Sequence, residues 1–215
     1  MVEGLDGSGK TTLRKGLFRL FENLYGITPL AVLTTNWLAP QAAADLVEGK
    51  YRPAPGNRDR YLAALRADKE ASVRRLIAPS LSARPVIADR WLISELAFFA
   101  VKHGQPPKET YAQLADAIDV PPSLTIVLET ATEQSMARAA GRTGGDDVRK
   151  DWDVLDVQAR VRDTIAEILS SPSAFPKIGP TVRIDASQDR AAVLRDAWDA
   201  LAERQLTPAL PTEEV

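Results

Sequence analysis

Three glycines in the stretch Gly4-Leu5-Asp6-Gly7-Ser8-Gly9-Lys10-Thr11 constrain this chain more than any other feature. The spacing G-x-x-x-x-G-K-[ST] demands a backbone that turns back on itself, with no Cβ atoms holding successive N–H groups off the concave side. Such a nest of amides takes phosphate oxygens. The lysine adds a cation for the β and γ phosphates, and the hydroxyl is a ligand for Mg²⁺. Gly7, Ser8, Gly9, Lys10, Thr11 and Thr12 are therefore the expected nucleotide-binding residues. The next stretch, 10–25, has apolar residues at helical spacing (Leu13, Leu17, Leu20, Phe21, Leu24), so a helix N-terminus faces the anion. Ahead of the loop, 1–3 leaves three residues for a strand where about five are usual. Either the chain begins inside that strand or the strand is clipped.

Downstream, short apolar runs alternate with helical patterns, which predicts an α/β fold on a parallel sheet. Strands are expected at 30–35, 85–89, 124–129 and 181–185. Helices are expected at 40–48, 58–82 (interrupted by Pro79), 91–103, 108–118, 132–140, 153–169 and 188–205. The segment 141–151 is rich in Gly, Asp and Arg and reads as a mobile surface loop. Residues 1–205 are expected to form one domain, followed by a frayed tail at 206–215. The absence of cysteine rules out disulfides and thiolate metal sites. No apolar run approaches a membrane span and no signal segment is visible, which points to the cytosol. A net charge of −2 speaks against binding nucleic acid polymers.

A second motif, Asp89-Arg90, closes the run 85–89, at the strand end where open parallel sheets bind ligands. An acid there can complete the Mg²⁺ shell opposite Thr11, and Arg90 can clamp an acceptor's charge in two-point fashion. The competing reading of Asp89 is a helix N-cap; pairing with residues 4–11 favours the metal role.

Together these pieces resemble the thymidylate kinase family. The likeness rests on 3–12, on 86–90 with Ser94 and Ala97, on 122–125 leading to Leu128-Glu129, and on the arginine-bearing loop 138–149. It implies a three-layer P-loop kinase fold, with a five-stranded parallel sheet flanked by helices and a short lid at about 138–151. It also implies a homodimer and transfer of the γ-phosphoryl of ATP, with Mg²⁺, to thymidylate. Asp6 would be the loop acid near the acceptor, and Arg90 the acceptor-phosphate arginine. Arg138, Arg142 and Arg149 would be the lid arginines, which the family uses when the loop itself lacks one. A positioned arginine can accelerate phosphoryl transfer about 10³–10⁵-fold. The alternative is a solvated loop in which these arginines pair with Asp146, Asp147 and Asp151.

The departures fall on the acceptor side. Residues 35–40, Thr-Asn-Trp-Leu-Ala-Pro, replace the family's Arg-Glu-Pro-Gly-Gly. The base-stacking phenylalanine and its arginine become Leu65 and Lys69, or in another register Leu62 and Arg66. Phe98-Phe99 replaces Tyr-Gln. Trp37 and Trp91 are candidate stacking surfaces, with rings at an element edge as the other reading. The expected substrate contacts are thus Asp6, Trp37, Arg66, Lys69, Arg90, Trp91, Ser94 and Phe98. The reading these residues support is a Mg-ATP-dependent kinase of a nucleoside monophosphate, with dTMP the first candidate. Its alternatives are a non-standard acceptor (a modified nucleotide, nucleoside, sugar or specialised metabolite) and an inactive nucleotide-binding regulatory protein. His103, before Gly104, reads as a helix-end residue.

Overall fold

A computed structural model describes residues 1–34, 36–48, 55–143, 152, 154–208 and 210. Among them, β1 (Val2–Gly4), β2 (Leu30–Leu33), β3 (Val86–Asp89), β4 (Thr125–Glu129) and β5 (Thr181–Asp185) form one parallel sheet in the order β2-β3-β1-β4-β5. The crossovers are built from α1 (Lys10–Tyr25), α2 (Pro40–Glu48), α3 (Arg58–Ser72), α4 (Ala78–Ser80), α5 (Leu92–His103), α6 (Pro107–Leu114), α7 (Thr132–Thr143) and α8 (Leu155–Ser170), and α9 (Arg190–Glu203) follows the last strand.

The two-residue period of the strands sorts the core into two layers. Val2, Ile126, Leu128 and Ile184 pack with Leu13, Leu17 and Phe21 of α1 and with Trp198 of α9. Val32, Ala88 and Val127 face α3, α5 and α8 through Leu62, Leu65, Leu92, Leu96, Val161 and Ile165. β1 is as short as the sequence implies, yet it lies at the centre. Ile126 N donates to Met1 O at 2.8 Å and Arg90 N to Val2 O at 3.0 Å, so neighbours on both sides hold it.

Several boundaries differ from expectation, among them α6, which ends at Leu114, and α7, which runs on to Thr143, and two have a clear local reason. β2 stops at Leu33 because Asn36 folds back on it: Leu33 N donates to Asn36 Oδ1 (3.0 Å) and Asn36 Nδ2 to Leu33 O (2.8 Å). The Asn36 amide thus takes both backbone groups of Leu33 in place of a further strand residue. The helix expected over 58–82 widens into a π turn at Val73–Ile77, with Ala78 N bonded to Val73 O. Pro79 has no N–H for the carbonyl four residues earlier, and the wider turn accommodates its ring. Within the segment expected as a tail from 206, Trp198 Nε1 donates to Pro208 O at 2.9 Å and Leu210 packs on the α1–α9 layer. Residues 211–215, like most of the loop expected at 141–151, lie outside the described residues.

Candidate active site

The glycine loop joins β1 to α1, and its shape explains its composition. Gly7 has φ 84° and Gly9 φ 98°, both in the left-handed region that favours glycine. A Cβ on Gly7 would lie 2.0 Å from Ser135 O, so α7 rests directly on the loop, and Ser135 Oγ donates to Asp6 O. No side chain caps the start of α1. Its first-turn amides remain available to an anion, as the motif requires.

Lys10 is buried, its Nζ on Gly4 O (3.1 Å) and Leu5 O (2.5 Å). Burial, and then the Arg90 charge, pull its pKa down to about 7. Across the cleft, Thr11 Oγ1 donates to Asp89 Oδ2 at 3.1 Å, and Arg14 Nε lies 3.5 Å from the same oxygen. Asp89 is therefore not the cap of α5. Glu3, buried on β1, fills that role: Oε1 accepts from Trp91 N (2.7 Å) and Ser94 N (3.3 Å), and Oε2 from Ser94 Oγ (2.5 Å). Glu3 belongs to the stretch 3–12 that carries the family likeness but has no role assigned from it, and no motif singles out Arg14. Arg14 is detectable in principle, one helical turn beyond Lys10 on the same face of α1.

Arg90 takes a left-handed backbone, φ 68°, which a non-glycine residue adopts only where its surroundings impose it. Val2 O fixes the peptide, and the side chain turns into the cleft. Nη1 donates to Gly4 O (3.0 Å) and Ser94 Oγ (2.9 Å), and Nη2 donates to Asp6 Oδ1. A cleft of about 330 Å³ is lined by Asp6, Gly7, Gly9, Lys10, Thr11, Leu33, Thr34, Asp89 and Arg90. The two sequence motifs therefore share one site. A larger hollow of about 540 Å³ opens between α7, α8 and the ends of β4 and β5. It contains no side chain of the Lys10–Asp89–Arg90 set, so the smaller cleft is the chemical one.

The expected acceptor contacts divide. Ser94 and Asp6 sit in the cleft network. Phe98, half-buried, stands 5.3 Å from the ring of Trp152, a residue that no sequence motif marks. Trp91 and Lys69 go elsewhere. Trp91 is 2 % exposed, and Lys69 Nζ lies 4.3 Å from the centroid of its ring. Lys69, fully buried, pairs with Glu95 Oε1 at 3.2 Å and donates to Thr34 O at 3.2 Å. Burial raises the Glu95 pKa, against the lowering effect of Lys69. Neither the indole face of Trp91 nor the ammonium of Lys69 is presented to a ligand. Arg66 is exposed while Leu62 and Leu65 are both buried, so neither register brings the Leu-and-cation pair into the cleft.

Trp37 is 37 % exposed at φ 58°. The buried carboxylate of Asp68 takes the amides on either side of it, Asn36 N at 2.8 Å and Leu38 N at 2.9 Å. Arg138 donates from Nη1 to Ala186 O at 2.9 Å, tying α7 to the loop after β5. The Arg142 side chain and Arg149 lie outside the described residues. His103 ends α5 as expected, ahead of Gly104 at φ 62°, and its ring packs on Phe98 and Phe99.

The donor set suits a hard divalent cation. Thr11 and Asp89 offer a hydroxyl and a carboxylate oxygen 3.1 Å apart at the mouth of the amide nest, the oxygen-only chemistry that Mg²⁺ selects.

No family model matches the chain. Individual relatives do. A probable thymidylate kinase of Thermococcus gammatolerans is 27% identical over 185 residues, which is 83% of this chain and 84% of the relative. A probable thymidylate kinase of Methanocorpusculum labreanum is 27% identical over 200 residues, 90% of this chain and 91% of that one. The thymidylate kinase of Limosilactobacillus reuteri is 25% identical over 206 residues, 94% of each. The similarity thus covers most of this chain and most of each relative.

Proposed function

The chain belongs to the thymidylate kinase family, and from that premise we propose that it phosphorylates a nucleoside monophosphate, with dTMP the first candidate. It is an ATP-dependent kinase; the acceptor and the residue roles are our inference. The bond broken joins the γ-phosphorus to the β–γ bridging oxygen, which leaves with ADP. The bond formed joins that phosphorus to an oxygen of the acceptor's phosphate.

One observation carries the reading: Thr11 and Asp89 meet across the cleft at 3.1 Å, with Arg90 next in the chain and turned inward. In our assignment the amides of residues 7–12 hold the triphosphate, and Lys10 exchanges its carbonyl partners for β and γ oxygens. Thr11 and Asp89 would hold Mg²⁺, which supplies charge neutralisation on the transferring group when bound. Arg90 takes the acceptor phosphate, beside Asp6. Arg142 and Arg149 are proposed as lid arginines closing on the moving phosphoryl. Arg138, whose Nη1 is bonded to Ala186 O, is proposed as the third of these arginines.

A second reading keeps this chemistry and changes the acceptor. It draws on the sequestration of Lys69 and Trp91 and on the apolar ring of Phe98, which offer no hydrogen bonds to a pyrimidine edge. Pockets without such partners discriminate weakly between close analogues. The experiment is a panel: protein, Mg-ATP and each nucleoside monophosphate, with diphosphate formation read by chromatography. Efficient conversion of dTMP, with kcat/KM of about 10⁴ M⁻¹s⁻¹ or more, supports the first reading. Preference for another acceptor supports the second, and no diphosphate from any monophosphate overturns the first. Homodimer formation and a cytoplasmic location are proposed on the family alone. Among the described residues no helix is long and apolar enough to cross a membrane.

A further inference from the structure

Trp152 lies far from both motifs in sequence, yet its indole Nε1 donates to Asp6 Oδ2 at 3.2 Å. The other oxygen of Asp6 accepts from Arg90 Nη2. A carboxylate and a guanidinium left to themselves favour the two-point fork, which is the strongest geometry open to them. Here the indole holds one end of that fork. Neighbours brace the ring on two sides, with Phe98 5.3 Å away at 51° and Lys102 Nζ 5.5 Å from its centroid. Asp6 and Arg90 are each about a quarter exposed, with side-chain exposures of 26 % and 27 %, so both reach the cleft. Arg90 is meanwhile drawn from its inner edge by Gly4 O and Ser94 Oγ, and Ser94 Oγ itself donates to Glu3. One continuous chain of hydrogen bonds runs from Trp152 through Asp6, Arg90 and Ser94 to Glu3.

We propose that Trp152 is a positioning residue of the acceptor subsite: its N–H keeps Asp6 from closing a fork on Arg90, and so keeps the guanidinium open to a phosphate monoester. This rests on the reading of Arg90 as the acceptor-phosphate ligand and adds a residue outside both motifs to that subsite. Without the indole N–H, Asp6 rotates onto Arg90 and competes with the incoming dianion. A chain with the ring but no N–H binds phosphate more weakly while its donor site is untouched.

The test uses the full chain saturated with Mg²⁺ and a non-hydrolysable ATP analogue, with inorganic phosphate as the probe. The sequence has four tryptophans, and the indole N–H signal absent from W152F assigns the Trp152 resonance. Phosphate is expected to shift that resonance in the native protein, and W152F to bind phosphate about tenfold more weakly, the scale of one hydrogen bond to a charged group. With whichever acceptor is turned over, W152F is expected to raise the acceptor KM about tenfold, leaving kcat and the KM for ATP within about twofold. Equal phosphate affinity in W152F and native protein overturns the proposal. So does an unmoved Trp152 signal in the native protein, or a loss seen in W152L but not in W152F, which would assign the effect to the ring. A weakened phosphate site together with no diphosphate from any monophosphate would sink the functional reading and leave Trp152 standing. Turnover with both affinities unchanged does the reverse.

Discussion

Lys10 is the residue on which charge and burial contend most directly. Among the described residues its ammonium hydrogen-bonds two carbonyls, and burial brings its pKa down to about 7 from an ordinary value of 10.5. The native state therefore binds fewer protons than the unfolded chain between those two values, so this group makes stability rise with pH across that window. Below about pH 7 both states carry the charge, and the cost of burying it is fully present. Phosphate oxygens restore the ammonium. ATP binding near pH 8 is thus expected to take up a proton, read by calorimetry in buffers of different ionisation enthalpy. In Lys10→Met that uptake should vanish, and kcat should fall on the order of 10²–10³-fold, the cost of removing one preorganised donor. The role of Lys10 was legible in the sequence because a local motif dictates it. The fate of Lys69 was not. Its nearest partners, Thr34, Trp91 and Glu95, come from other segments, and nothing local to 65–69 announces them.

At the scale of elements, the buried Lys69–Glu95 pair bridges α3 to α5. Removing one partner leaves the other charge stranded, whereas removing both leaves an apolar contact. Lys69→Met is expected to cost about 3–5 kcal/mol in a denaturant titration. Lys69→Met combined with Glu95→Leu should recover most of that loss. If the single substitution proves as stable as the native chain, the pair is not sequestered as described. The same helix fixes the turn after β2, where Asp68 holds the amides flanking Trp37. Helix and strand identities were readable from periodicity, since each element has its own spacing of apolar residues. Their ends were less so. Asn36 sets one through its bonds to Leu33, and Pro79 another through the helical bond it cannot make, neither of which apolar spacing encodes.

At the scale of the whole molecule, the last helix is closed by the chain that follows it. Trp198 is fully buried with its Nε1 on Pro208 O, and Leu210 lies against the same layer. Truncation after residue 205 removes that acceptor and uncovers the indole. It is expected to destabilise by about 1–3 kcal/mol, the scale of one hydrogen bond and part of a large side chain's apolar burial lost together. The melting temperature should fall by about 2–4 °C for each kcal/mol, and an unchanged value would show the tail to be dispensable. What residues 4–11 and 85–90 determined unaided was a nucleotide loop on a parallel α/β sheet with an acid and an arginine facing it. Those are short-range properties: glycine spacing, strand length and the position of a polar pair at a strand end. Only the tertiary structure decided which candidates share the cleft. It drew Trp91 and Lys69 inward, left Arg66 outside, and brought Glu3, Arg14 and Trp152 to the motif residues. Those choices are made by hydrogen bonds and burial between segments up to 146 positions apart, where apolar periodicity carries no information.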